Sequence, residues 1–205
     1  MSNLKSFYEA GRIEAGVDEA GRGCLAGPVV AAAVVLPEDF QHHLLNDSKQ
    51  LSEKERIEME SIIKDEAISY GIGVLDNDVI DEINILKASH RAMNIAVKHL
   101  FPEPDMLLID GNLFTPESEI PFICIIKGDG KYNAIAAASI LAKTHRDRLM
   151  QELHEKHPQF NWAQNKGYPT EEHKKAIHEH GITKLHRQSF RLFDNEKQMH
   201  IDFDS

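Results

Sequence analysis

Nine consecutive apolar residues, PVVAAAVVL at 28–36, stand between Gly27 and Pro37. The run is too short for a typical helix, and the flanking glycine and proline punctuate it, so it reads as a buried strand. MLLI at 106–109 and FICII at 122–126 are two more short strands buried by their composition. Residues 13–17 form a short strand before the long run, and 69–74 alternates as a strand does. Helical spacing follows Ser52, an N-cap whose capping box closes on Glu55 before Ile57, Met59, Ile62 and Ile63. Residues 78–100 carry apolar residues at helical spacing as one further helix. Residues 132–157 are the longest helical pattern, and Ala134, Ala136, Ala137 and Ala138 let its backbone lie close to a sheet. Thr170 caps a last helix that stops at Gly181, with Glu171 and Glu172 in its first turn. The order β-β-α-β-α-β-β-α-α predicts a mixed sheet covered by helices, a three-layer α/β domain. The expected division is one main domain over 1–158, a helical C-terminal extension over 159–193 and a polar, frayed tail over 194–205.

Composition fits that picture. The chain of 205 residues is 41% hydrophobic and 27% charged, enough for a full core in one generous domain and too little for two large ones. No apolar stretch reaches the length of a membrane span, and the N-terminus lacks a signal-peptide core, so a cytoplasmic protein without membrane contact is expected. Cys24 and Cys124 lack metal-site spacing and read as two reduced thiols. The net charge of −10 argues against a general nucleic-acid binder. Residues 1–130 carry 11 Lys and Arg against 23 Asp and Glu, a balance of −12, whereas 131–191 carry 11 against 6, a balance of +5. The C-terminal third can therefore present a basic face while the rest supplies acid.

Acids recur where strands end: Asp18 and Glu19 after AGV, Asp110 after MLLI, and Asp129 after FICIIKG. Carboxylates at strand ends can meet on one edge of a sheet without being buried unpaired. As hard oxygen donors they suit Mg²⁺ or Mn²⁺, two of which would stabilise the attacking and leaving oxygens of a phosphodiester. Taken singly, each acid reads more readily as a turn or cap residue than as a ligand. Gly21-Arg22-Gly23 lets backbone approach a ligand beside a guanidinium, or is merely a tight turn. Lys49 is a candidate phosphate contact ahead of the first helix. Lys166 and Tyr168 add a charge and a flat stacking surface to a turn that feeds a helix N-terminus. Lys143 and Arg146 share a face of the long helix, with Arg148 nearby, as a phosphate rail or as solvated charges. The seven histidines from His145 to His186 are spread over several elements and do not read as a zinc site. No Walker sequence and no G-x-S-x-G occurs. Adjacent strand residues face opposite ways, so Asp18 and Glu19 can share a site only if the strand bends or the two contribute differently.

VDEAGRGCLAGPVVAAAVVLP, NDSKQLS, LLIDG, KGDGKYNAIAAASILAKTHRDRLM and NKGYPTEEH, in this order and spacing, resemble bacterial ribonuclease HII over residues 16–190. The resemblance implies a ribonuclease H-like α/β domain with a helical C-terminal part. It also implies a type 2 ribonuclease H that cuts 5′ to ribonucleotides in RNA/DNA hybrids and in DNA duplexes with embedded ribonucleotides, leaving a 3′-hydroxyl and a 5′-phosphate. By the same resemblance Asp18, Glu19, Asp110 and Asp129 are metal-binding catalytic carboxylates for Mg²⁺ or Mn²⁺, two ions during catalysis. Gly21, Arg22 and Gly23 read the ribose 2′-hydroxyl, Tyr168 stacks on the following sugar, and the biological role is ribonucleotide excision repair. Cys24, Pro169 and Lys184 depart from residues frequent in the family, which touches the shape of the turn around Tyr168 and no carboxylate. The short stretch before the first strand favours this family over ribonuclease HIII, whose members carry an extra N-terminal domain. QSFRLF near the C-terminus is a loose match to a replication-clamp contact. The rivals are a metal-free glycosidase using two of the carboxylates and a non-catalytic RNA/DNA hybrid-binding module.

Overall fold

The computed structural model describes residues 4–45 and 51–191. Five strands form one sheet: β1 (Glu14–Ala20), β2 (Val29–Val35), β3 (Ser69–Leu75), β4 (Met106–Asp110) and β5 (Phe122–Ile125), in the order β3-β2-β1-β4-β5. β1, β2 and β3 pair antiparallel, while β1, β4 and β5 run parallel. The helices are α1 (Glu53–Glu66), α2 (Asn77–Ile83), α3 (Ile85–Lys98), α4 (Asn133–Lys156), the single turn α5 (Trp162–Asn165) and α6 (Glu171–His180).

The continuous apolar run becomes β2 because both its faces are covered. Val29, Ala31, Ala33 and Val35 pack with Ala88, Ala92, Ala96 and Val97 of α3, while Ala32 and Val34 meet Met59 and Ile63 of α1 and the alanine-rich start of α4. That makes three layers, as the element order predicts. Small residues set the spacing. A Cβ on Gly16 of β1 would enter the Ala134–Ile135 peptide of α4, and one on Gly71 or Gly73 of β3 would meet the α3 carbonyls of Ala96 or Ala92. A separate cluster of Leu25, Ala26, Met150, Phe160, Trp162, Ala176 and Ile177 joins the C-terminal part to the β1–β2 loop and α4.

The caps form where the sequence places them. Ser52 Oγ accepts from Glu55 N at 3.3 Å while Ser52 N donates to Glu55 Oε2 at 2.7 Å, and Thr170 Oγ1 accepts from His173 N at 3.2 Å. Two expectations differ from the structure. The helix expected over 78–100 is broken at Asn84, whose φ of 69° ends α2 and whose side chain accepts from Lys87 N to start α3. The first strand also runs past residue 17, because its ladder with β2 continues to Ala20 opposite Val30. Asp18 and Glu19 therefore lie inside β1, although its ladder with β4 ends at Val17 opposite Ile109. Cys24 and Cys124 are free thiols. No helix among the described residues is long and apolar enough to cross a membrane. Lys49, the expected tail over 194–205 and the last two residues of QSFRLF lie outside the described residues.

Candidate active site

Because β1, β4 and β5 are parallel, their C-terminal ends share one edge of the sheet, the edge at which open α/β sheets hold ligands. The adjacent acids of β1 face opposite ways, and the strand does not bend to bring them together. Asp18 stands opposite Ala32, on the α4 face, where the Ser139 hydroxyl bonds its carboxylate. Glu19 stands opposite Ala31, on the α3 face, and pairs with Arg22 at 3.2 Å. Asp110, at the end of β4, lies close enough to affect both. Burial, then the neighbouring Glu19 and Asp110 charges, hold the Asp18 carboxyl well above the usual carboxylate range. Burial raises Glu19 as well, Arg22 opposes that shift, and Asp110 adds to it. The two faces thus meet over the short end of β4.

Asp110 also organises the next turn. Its Oδ1 accepts from Gly128 N at 2.6 Å, and Lys127, with φ of 55°, turns the chain into the 3-10 turn Gly128–Gly130. Asp129 in that turn is 4% exposed and accepts from Gly130 N at 3.0 Å. The structure brings Asp18, Glu19 and Asp110 within electrostatic reach of one another. The bond from Gly128 N to Asp110 also ties the turn that carries Asp129 to this set. Among the described residues no three His, Cys, Asp or Glu side chains form a closed metal-ligating cluster. A Mg²⁺-like ion needs no such cage, since it takes one or two carboxylates and completes its shell with water and phosphate. An all-oxygen set in which burial and like charge raise Asp18 and Glu19 fits a divalent cation.

The two glycines around Arg22 differ in kind. Gly21 has φ of 97° and lies flat on the Arg146 side chain, which a Cβ would strike, whereas a Cβ on Gly23 would meet nothing within 4 Å. The fold requires the first glycine and leaves the space at the second open. Arg22 itself is exposed. Beyond it, Leu25 N donates to Gly167 O at 2.8 Å, binding the loop to the turn of Lys166 and Tyr168. Tyr168 is 41% exposed, its hydroxyl bonds to the Cys24 thiol, and the Arg146 guanidinium lies 5.9 Å from its ring centre. Lys166 reaches toward Glu53 of α1, at 4.0 Å.

Arg146 corrects the reading of a basic rail. It is 1% exposed and donates to the carbonyls of Pro28, Lys166 and Ala26 at 2.9, 2.8 and 3.2 Å. Lys143 pairs with Asp147, and Arg148 with Glu60. Two of the seven histidines from His145 to His186 meet, His173 and His186 at 3.3 Å beside Trp162. Ser139 bonds the Asp18 carboxylate and Arg187 donates to the Arg22 carbonyl at 3.0 Å, and neither is among the residues singled out by the sequence. A serine in the alanine run of the long helix was the one available signal.

Residues 15–193 match the family model described as Ribonuclease HII. The chain is 56% identical to the ribonuclease HII of Parabacteroides distasonis over 193 residues, which cover 94% of this chain and 97% of that protein. It is likewise 56% identical to that of Christiangramia forsetii, over 98% of this chain and all of the relative. Among solved structures it is similar to ribonuclease H2 from Pyrococcus horikoshii OT3, with a TM-score of 0.71 and 27% identity, covering 87% of this chain and 94% of that one. It is also similar to the ribonuclease HII of a complex with PCNA from Archaeoglobus fulgidus, with a TM-score of 0.72 and 26% identity, covering 90% and 98%. Bst-RNase HIII in complex with Mn²⁺, at 21% identity, has a TM-score of 0.71 and is covered over 71% of its length, a likeness of fold.

Proposed function

Because this chain belongs to the ribonuclease HII family, we propose that it hydrolyses the phosphodiester 5′ to ribonucleotides, in RNA/DNA hybrids and in DNA duplexes holding single ribonucleotides. It is an endoribonuclease of the ribonuclease H type, with the family's α/β fold and helical C-terminal part. The observation that supports the finer reading is the meeting of Asp18, Glu19 and Asp110 over one sheet edge, with Asp18 held well above its ordinary pKa. A divalent metal, Mg²⁺ or Mn²⁺ and two ions in our reading, supplies charge neutralisation at the phosphate and activation of water when bound.

The chain's own residues then have separate tasks. Asp18, Glu19, Asp110 and Asp129 would hold the cation, and Asp110 also fixes the Gly128–Gly130 turn that carries Asp129. Ser139 orients the Asp18 carboxylate. Gly21, Arg22 and Gly23 read the 2′-hydroxyl that distinguishes RNA from DNA, with open space at Gly23 for the sugar. Tyr168 offers a partly exposed ring for stacking on the next sugar, and Lys166 contributes positive charge nearby. Lys49 is assigned to phosphate from its motif alone. Cytoplasmic action in ribonucleotide excision repair follows from this substrate, within a catalytic domain over 1–158 and a helical extension over 159–193. A clamp contact through QSFRLF belongs to the same proposal, and the archaeal relative solved with PCNA is its support.

The test is a labelled DNA duplex with one ribonucleotide, incubated with protein and Mg²⁺, with and without chelator. The expected product is a single nick on the 5′ side of the ribonucleotide, lost with chelator and in Asp18→Asn. A nick indifferent to chelator, or binding without any nick, overturns the reading.

A further inference from the structure

Two arginines are buried behind the Gly21-Arg22-Gly23 loop, and neither has an ion-pair partner among the described residues. Arg187 is 0% exposed and Arg146 is 1% exposed. Their guanidinium groups are spent on backbone carbonyls. Arg187 donates to Arg22 O at 3.0 Å, Gly27 O at 3.1 Å and Pro28 O at 3.1 Å. Arg146 takes Ala26, Lys166 and the same Pro28 carbonyl, and its side chain lies against Gly21. A buried guanidinium without a carboxylate is costly, and well-placed carbonyls are what can satisfy its fixed fork of donors. The segment carrying Arg187 is itself pinned: Asp81 of α2 accepts from Gln188 N, Ser189 N and Ser189 Oγ at 2.9, 2.9 and 2.5 Å. Arg187 N also donates to Leu25 O at 2.8 Å. A chain of bonds therefore runs from α2 through Arg187 to the carbonyl of Arg22.

We infer that Arg187 is a positioning residue: by holding the Arg22 carbonyl it fixes where the 2′-hydroxyl-reading loop stands relative to Asp18 and Glu19. The inference rests on the proposed role of that loop. It predicts a defect in discrimination rather than a uniform loss. A duplex with one ribonucleotide offers a single 2′-hydroxyl in one register, whereas an RNA/DNA hybrid offers one at every RNA residue, so a displaced loop still finds a partner there. A misplacement of about 1 Å in a binding group can cost about 10²-fold in rate.

The experiment compares wild type, Arg187→Lys and Arg187→Ala as full chains, measuring kcat/KM on the single-ribonucleotide duplex and on an all-RNA hybrid, with thermal unfolding in parallel. Lysine keeps the charge but cannot span three carbonyls in a plane. For Arg187→Lys the expected result is a ratio of the two kcat/KM values shifted about tenfold or more against the single ribonucleotide, with the hybrid reaction within about threefold of wild type. Arg187→Ala should shift the ratio at least as far wherever it folds. Equal losses on both substrates, an unchanged ratio, or an Arg187→Lys protein that is unfolded at the assay temperature each overturn the inference, the last by making the residue a requirement of folding. If wild type cuts neither substrate, the proposed function fails instead.

Discussion

Acidification from pH 7.5 to pH 5 should loosen this protein through one imidazole. His186 is 0% exposed, and burial, followed by the neighbouring His173, pushes its pKa down to about 4 from 6.5. The hydrogen bonds explain why the ring is held neutral. Thr183 N donates to His186 Nδ1 at 2.9 Å, which assigns the ring proton to Nε2, directed at His173 Nε2 3.3 Å away. That nitrogen already accepts from Trp162 Nε1 at 2.9 Å, and His173 Nδ1 donates to Tyr168 O at 2.9 Å. Charging either imidazole sets a new proton against an N–H that already points at it. The unfolded chain binds a proton below about pH 6.5 and the folded chain does so only below about pH 4, so the stabilisation is complete above 6.5 and is lost as the pH falls through that window. One group shifted this far costs about 2 kcal/mol between pH 7.5 and pH 5 and about 3 kcal/mol by pH 4. Urea unfolding of wild type and His186→Asn at several pH values isolates this contribution. The asparagine oxygen can still accept from Thr183 N–H, so the lost ring adds a cost independent of pH. The wild-type slope of stability against pH should exceed that of His186→Asn by about 1 kcal/mol per pH unit between pH 6 and pH 5. Parallel slopes would refute the neutral-knot account.

Asp18→Asn removes a buried charge that Glu19 and Asp110 oppose, so in chelator it should stabilise the fold by on the order of 1 kcal/mol, or about 2–4 °C, read by thermal unfolding. The same variant should lose about 10³-fold or more in cleavage. Mg²⁺ at ten times its Kd should stabilise wild type by about 1.4 kcal/mol, measurable as a rise in Tm that Asp18→Asn reduces. Gly23→Ala adds a methyl where nothing lies within 4 Å, so its Tm should stay within a degree or two while KM for ribonucleotide-containing duplex rises. Gly16→Ala forces a methyl into the α4 backbone at Ala134 and should cost about 1–3 kcal/mol, seen as a lower urea midpoint with unchanged m.

The layers were legible because their cause is local composition. A strand apolar at every position, such as β2, can exist only under cover on both faces, and the alanines of α4 announce close packing. The break at Asn84 was not legible, since apolar spacing continues across it and only the positive φ, with the cap on Lys87, divides the helix. Arg146 misled for a related reason. Spacing gives the face of a helix on which a residue lies, not whether carbonyls from another element stand ready to satisfy it there. His173 and His186 are 13 residues apart in sequence and bond ring to ring only because α6 and the segment after it fold back over Phe160 and Trp162.

The pair at Asp18 and Glu19 shows what topology adds to a motif. Alternation along β1 sends the two carboxylates to opposite faces, and the ladder with β2 holds that alternation through both residues. Had β4 paired with β1 as far as Glu19, its backbone would have separated them. Its ladder stops at Val17 opposite Ile109, two residues short, and Asp110 occupies the gap from which it acts on both. Parallel pairing is what makes this arrangement available, because it brings the C-terminal end of β4 to the same edge as these acids. An antiparallel β4 would have delivered its N-terminal end there, with Met106 in place of Asp110. Lengthening β4 by one paired residue ahead of Asp110 should therefore abolish Mg²⁺-dependent cleavage while sparing the fold, a combination that activity and thermal unfolding measured together would detect. Retained cleavage in that variant would mean that the order of residues at the edge, and not the short end of β4, sets the site.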